Sequence, residues 1–281
     1  MHVLALLDGT LADPTVPLLR VDDLGVMRGD GIFETILVVD GKPRELGPHL
    51  DRLARSAAMM DLPAPDRAAW ERACQVVLDN WTGRPEHVLK LVMTRGVEGT
   101  GTPTEFALGM EIAPAVLRQR AEGIAAVTLE RGFGPDVAER APWLLLGAKS
   151  LSYAVNMAAV REAARRGADD VVFLASDGTV LEGPTSTVVA VHEGVLRTPP
   201  STLGILPGTT QHALFRAAER TGRNVKVEPL TVPDLHAADG VFLCSSVRTV
   251  TRVHTLDGTR LTDSSDLHRE MVELYQSEYQ R

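Results

Sequence analysis

The sequence predicts a mixed α/β fold in two domains, on three observations. Strand-like runs and helical periods follow one another along the whole chain. Short Asp-Gly and Glu-Gly turns join several of the strands as hairpins, which argues against a simple doubly wound parallel sheet. The length, 281 residues, suits two modest cores, since domains commonly run about 100–150 residues.

Taken in order, residues 3–7 and 33–39 read as strands, each closed by an Asp-Gly pair (Asp8-Gly9 and Asp40-Gly41). Residues 49–62 place Leu50, Leu53, Ala54, Ala57 and Ala58 on one helical face, and 66–81 read as a second helix. Strands are expected over 88–94 and 105–112. The stretch Ala113-Pro-Ala-Val-Leu-Arg-Gln-Arg-Ala-Glu-Gly123 is less regular and marks the boundary. The expected division is a small domain over 1–113, a linker over 114–123 and a larger domain over 124–281. In the larger domain a strand covers 124–129. A helix opens at Lys149 with Leu151, Ala154, Val155 and Ala158 on one side, and Arg165, Arg166 and Gly167 close it. Strands at 170–175 and 186–192 have turns at Asp177-Gly178 and Glu193-Gly194. A helix over 207–221, strands over 224–228 and 241–244, and a terminal helix over 266–279 complete the chain.

The formal net charge is −8, and no basic stripe of the kind nucleic-acid binders carry is visible. An anionic ligand must therefore be caught by local arginines or backbone amides. No segment is long and apolar enough for a membrane span, and the first residues lack the basic region of a signal peptide. Cys74 and Cys244 are far apart with no metal-type spacing, so no metal is expected. A reduced, cytoplasmic protein is the expectation.

Lys149 follows the apolar run Trp143-Leu-Leu-Leu-Gly-Ala. An amine kept from water loses proton affinity, which suits a lysine that forms imines; the plain alternative is a lysine snorkelling out at a helix start. Glu182 lies before a Gly-Pro turn, where a glutamate is usually a loop residue unless a cationic ring nitrogen needs it. The run Ser201-Thr-Leu-Gly204-Ile205-Leu206-Pro207-Gly208-Thr209-Thr210 has the form of a phosphate site at a helix start, or of an ordinary capped helix. Ser245 and Ser246 offer hydroxyls at a strand end. Arg52 is either a fixed cation for the same phosphate or a solvated helix residue. An imine lysine, a ring-nitrogen carboxylate and a phosphate cradle are together the parts that pyridoxal 5'-phosphate needs.

The ordered set Arg28-Gly-Asp-Gly-Ile-Phe-Glu-Thr35, His49-Leu-Asp-Arg-Leu53, Lys149-Ser-Leu-Ser-Tyr153, Leu181-Glu-Gly183 and Gly204-Ile-Leu-Pro-Gly208 resembles the class IV aminotransferases, the fold-type IV pyridoxal-phosphate enzymes. The resemblance implies a small α/β domain, a larger barrel-like α/β domain, a cofactor between them and a homodimer acting on a small amino-acid-like molecule. It implies that Lys149 is the Schiff-base and proton-shuttling lysine and that Glu182 is the partner of the pyridine nitrogen. Arg52, Ile205, Leu206 and Ser246 match phosphate-contacting positions, and Gly204 and Ser245 are expected to bind the cofactor beside them. Tyr153 is expected one helical turn beyond Lys149, near the cofactor's phenolic oxygen, and Thr35 is expected to help a proton move near the imine.

This family comprises amine-transferring enzymes and aminodeoxychorismate lyase, which makes 4-aminobenzoate for folate. The segment Val88-Leu-Lys-Leu-Val-Met-Thr-Arg95-Gly96 is similar to the lyase form of that strand. D-Amino-acid transferases carry an Arg-x-His trap just beyond it, where this chain reads Val97-Glu-Gly-Thr-Gly-Thr102. Branched-chain transferases favour a Tyr-x-Arg-Pro strand, unlike Leu91-Val-Met-Thr94. The chain also departs from the lyases: Thr100 stands at their usual arginine, and Arg28 where many relatives have an aromatic residue. The implied activity is the lyase, with a transferase for D- or branched-chain amino acids, or a bifunctional enzyme, as the alternative. A phosphate-ligand binding protein without chemistry is a further one. Arg28, Arg95 and Arg248 are expected to share a substrate with two carboxylates, or else to form ordinary salt bridges.

Overall fold

The apolar run that opens the sequence becomes one strand of an antiparallel sheet. A computed structural model of the chain describes residues 1–280 and divides into two units, Met1–Ala113 with Ala148–Tyr153, and Pro114–Gly147 with Ala154–Arg281.

The first unit contains β1 (His2–Leu6), β2 (Leu11–Ala12), α1 (Leu24–Arg28), β3 (Gly31–Val39), β4 (Lys42–Pro43), α2 (Leu46–Met59), α3 (Arg67–Asp79), β5 (Glu86–Thr94) and β6 (Thr104–Met110). The strand order is β2-β1-β6-β5-β3-β4. Asp40 and Gly41 take positive φ, 50° and 72°, as a two-residue hairpin between β3 and β4 requires. Asp66 caps α3 through the amide of Ala69 at 3.1 Å, and Trp70, Ala73, Cys74 and Val77 are buried along that helix. The buried stripe of α2 differs from the expected one. Leu50, Leu53 and Ala57 are inside, but Ala54 and Ala58 are exposed while His49, Arg52 and Ser56 are buried. A hydrophobic period alone cannot anticipate this, because the three polar side chains find partners inside the unit.

The second unit contains α4 (Pro114–Glu122), β7 (Ile124–Glu130), α5 (Val137–Arg140), α6 (Ala154–Arg165), β8 (Asp170–Leu174), β9 (Thr187–His192) and β10 (Val195–Thr198). It continues with α7 (Thr209–Arg220), β11 (Val225–Val227), α8 (Val232–Ala237), β12 (Gly240–Ser245), β13 (Thr249–Leu256), β14 (Thr259–Arg260) and α9 (Ser265–Ser277). Its sheet runs β11-β10-β9-β12-β13-β7-β8, with β14 beside β13. The pairs of β7 with β8 and β13, and of β10 with β11, are parallel. The central strands bury both faces, so β9 reads as a continuous apolar run. Val188 and Ala190 join one core with Val241 and Leu243, while Val189 and Val191 join another with Leu214 of α7 and Met271 of α9. Among the described residues no pair joins the two ends of this sheet, and no helix is long and apolar enough to cross a membrane.

Three expectations are corrected. The segment read as an irregular linker is the helix α4, which buries none of its residues and so leaves no periodic signal. The helix expected to open at Lys149 begins at Ala154, and it buries Ala159 and Ala163 while Ala154, Val155 and Ala158 are exposed. Residues 149–151 instead run beside β3, where Phe33 N–H donates to the Lys149 carbonyl at 3.1 Å and Leu151 N–H to that of Gly31 at 2.7 Å, before Tyr153 N–H turns back to the Leu151 carbonyl at 2.7 Å. Lys149 thus belongs with the first unit, since β3 satisfies the backbone groups a helix would otherwise pair.

Candidate active site

In the first unit, β3 sends Phe33 and Thr35 to one face and Glu34 to the other. The Lys149 segment is tied to β3 by its ladder and to α2 by a bond from the Lys149 amide to Ser56 Oγ at 3.1 Å. Lys149 Nζ lies 4.4 Å from the Phe33 ring centroid and Lys90 Nζ 5.1 Å from it. Lys90 is the cross-strand neighbour of Thr35, and burial lowers its amine below the ordinary lysine value. Tyr153 meets the same ring edge-on at 5.3 Å. Its route there is the segment beside β3 and the turn after it, rather than the helical turn expected from its spacing to Lys149.

On the opposite face Glu34 is fully buried beside Arg52 and His49. Arg52 grips it with two bonds of 2.7 Å, from Nε to Oε1 and from one terminal nitrogen to Oε2; His49 Nδ1 lies 2.6 Å from Oε2. Burial alone would raise the Glu34 carboxyl, but the Arg52 and His49 charges outweigh it and hold the group well below the usual carboxylate range. Burial pushes the His49 imidazole down, more than Glu34 raises it, and the Arg52 and Lys149 cations act in the same downward sense.

Of the three expected substrate arginines, Arg28 and Arg95 lie in the first unit and Arg248 in the second. Arg95 binds Asp30 at 2.8 Å and the carbonyls of Met60 and Asp61 at 2.6 and 3.1 Å, so its fork anchors a chain crossing. Arg28 is exposed and pairs with Glu98 at 3.4 Å. Arg248, in the second unit, is buried in an ion pair with Asp170. Arg95 and Arg248 are thus each paired with an aspartate of their own unit.

In the second unit Glu182 is held from two sides. Arg131 donates to Oε1 at 3.2 Å and the Leu206 amide to Oε2 at 3.0 Å. The Leu206 amide is therefore directed to Glu182, and Ile205 is buried in the core beside Leu181 and Phe173. The helix after this loop starts at Thr209, two residues later than expected, with Gly208 as N-cap and no side-chain cap. Its first residues, Thr209 and Thr210, are buried, and a first turn of this kind suits an anion. Ser245 ends β12 and Ser246 follows in the turn to β13. The sequence reading did not single out Lys90, Glu34, His49 or Arg131. A charge inside the apolar run of β3 was a visible sign for Glu34, whereas nothing local distinguishes Arg131. Among the described residues no group of three or more His, Cys, Asp or Glu is placed to hold a metal.

A family model described as amino-transferase class IV matches residues 31–256. A bifunctional aminodeoxychorismate lyase / D-amino acid transaminase of Mycobacterium tuberculosis is 45% identical over 278 residues, covering 95% of this chain and 96% of the relative. A hypothetical aminotransferase from Mycobacterium tuberculosis, solved in a PLP-bound form, matches with a TM-score of 0.96 at 44% identity, covering 99% of this chain and 98% of that one. A fold IV transaminase from Curtobacterium pusillum matches with a TM-score of 0.93 at 44% identity, over 98% of this chain and 99% of that one.

Proposed function

The chain belongs to the class IV aminotransferase family, and from that membership we propose that it eliminates pyruvate from 4-amino-4-deoxychorismate to give 4-aminobenzoate. Transfer of the amino group of D-amino acids is its second activity. The bifunctional relative at 45% identity favours this pairing over a lyase alone.

Enzymes of this family use pyridoxal phosphate, and the residues present fit it. Lys149 is a half-buried amine on a strand-anchored backbone, Arg52 a buried guanidinium, and α7 a long helix whose start has no side-chain cap. When bound, the cofactor supplies an aldehyde for the amine and a ring that takes up electrons released at the substrate α-carbon. Lys149 would hold the group through its amine and would move the substrate's α-proton. In the first unit Arg52, oriented by Glu34, would offer a cation to the phosphate; in the second, the first turn of α7, Ser245 and Ser246 are donors of the kind a phosphate takes, and Glu182 would be the partner of the ring nitrogen. Tyr153 meets the Phe33 ring that Lys149 also approaches, and Thr35 follows two residues after Phe33 in β3. The single observation that carries the reading is the Lys149 amine 4.4 Å from the Phe33 ring centroid, where an aromatic face rather than bulk water is its neighbour.

A homodimer is the assembly proposed, supported by exposed apolar side chains in both units, among them Val21, Val26 and Met27, and Trp143 and Val155. A reduced, cytoplasmic setting is supported by two buried thiols, Cys74 and Cys244, which burial raises to about 12.

Purified protein should be yellow, and borohydride should fix the cofactor to Lys149. Supplied with aminodeoxychorismate it should release 4-aminobenzoate and pyruvate in equal amounts, and D-alanine alone should convert the cofactor to its amine form. Conversion by D-alanine without 4-aminobenzoate would leave a transferase only. Protein that stays colourless after reconstitution would point to a binding protein instead.

A further inference from the structure

We propose that Arg131 is a positioning residue for this reaction: acting through Glu182, it fixes that carboxylate's aim and ties it to the loop that leads into α7. The inference rests on the reading of Glu182 as the partner of a cationic ring nitrogen.

Arg131 directly follows β7, and its own amide donates to the Leu174 carbonyl at 2.8 Å, so its backbone is pinned to the end of β8. From there the guanidinium passes over the Phe173 ring, 5.8 Å from its centroid. One terminal nitrogen reaches Glu182 Oε1 at 3.2 Å and the Gly204 carbonyl at 3.4 Å. Glu182 is pinned to the same strand, since Phe173 N–H donates to its carbonyl at 2.8 Å. Its other oxygen, Oε2, accepts the Leu206 amide at 3.0 Å. One cation thus links the carboxylate to a loop whose amide holds that carboxylate from the other side.

The side chains of Arg131 and Glu182 are 19% and 13% exposed, so solvent screens the pair much less than a surface pair. The carboxylate therefore cannot rotate away without breaking its bonds to both Arg131 and Leu206, so its aim is set from both sides. Arg131 touches neither reacting atom; it acts on the group that does.

The experiment compares Arg131→Met, Arg131→Lys, Glu182→Gln and the Arg131→Met/Glu182→Gln double variant. Turnover, absorbance of the bound cofactor against pH, the dissociation constant of pyridoxal phosphate from the apoprotein, and apoprotein melting are measured for each. Arg131→Met should lower kcat about ten- to a hundredfold, with KM changed by no more than about twofold. It should shift the absorbance titration and weaken cofactor binding. Arg131→Lys should recover part of each, and the double variant should be no worse than Glu182→Gln. If Glu182→Gln is impaired while Arg131→Met matches wild type, or if the two losses multiply, Arg131 does not act through Glu182 and the inference fails. If Glu182→Gln is itself unimpaired, the reading of Glu182 fails first. Should Arg131→Met not fold, Arg131→Lys decides by the same spectral and binding criteria.

Discussion

Phe33 is the residue around which the first unit's chemistry is arranged. Two amines, Lys149 and Lys90, approach its ring, and Tyr153 closes on it edge-to-face. Lys90 shares the Phe33 ring with Lys149 and is a cation beside the proposed imine amine. Replacing Lys90 by Met should raise KM for aminodeoxychorismate about tenfold, the value of one charge-assisted hydrogen bond, and leave cofactor absorbance unchanged. An unaltered KM would exclude it from binding. Arg95→Met should behave in the opposite way. Its fork is engaged by Asp30 and two backbone carbonyls, so the loss should appear as about 1–3 kcal/mol of stability, with KM near wild type. A rise in KM without a change in melting temperature would restore Arg95 to the substrate site. From sequence, these two cations of one strand region could not be told apart, because a residue type does not disclose its partner.

At the scale of elements, the strands and long helices were legible because their apolar periods match their burial, as in β3, β5, α3 and α7. Legibility failed where another chain segment decided the conformation. Residues 149–153 have a helical spacing, but β3 pairs the backbone of 149–151, and β13 intersperses Thr, Arg and His among its buried residues, so its strand character was not seen. The site was legible in its order of motifs and illegible in its supports. Glu34 and Arg131 act through neighbours 18 and 51 residues away in sequence. The start of α7 supplies a test at this scale. Gly208 is its N-cap with ordinary backbone angles, φ −78° and ψ 118°, where serine would commonly serve. Yet a Cβ here would lie 2.2 Å from Thr187 Oγ1. Gly208→Ser should therefore destabilise the apoprotein by about 1–3 kcal/mol through overpacking, and adding Thr187→Ala should return part of the loss. A serine variant as stable as wild type would show that the close approach is not what selects glycine.

For the molecule as a whole, buried ionisable groups set its response to acid. His49, His87 and His268 are all buried, and for each the largest influence is burial, which lowers the imidazole below its ordinary value. The unfolded chain then takes up protons near pH ~6.5 while the folded chain does not. Stability is full above that pH and falls as pH drops from it toward the folded values. Glu34 acts later. Its carboxyl is held well below the usual range, so its contribution is present above the ordinary glutamate value and is lost only as pH falls through the depressed one. His87 isolates the first stage. It is 1% exposed and stacks on Trp81 at 4.2 Å, and although the Pro85 carbonyl slightly favours its charged form, neither ring nitrogen makes a hydrogen bond. His87→Phe keeps the stacking and removes the proton site, so the fall in stability between pH ~6.5 and ~5 should be shallower than in wild type. Trp70 and Trp81 lie in the first unit and Trp143, 73% exposed, in the second. Blue-shifted tryptophan emission therefore follows the unit that His87 occupies, and urea melts at three pH values read out its slope. The same slope in His87→Phe as in wild type would assign the acid sensitivity to His49, which contacts Glu34 and Arg52.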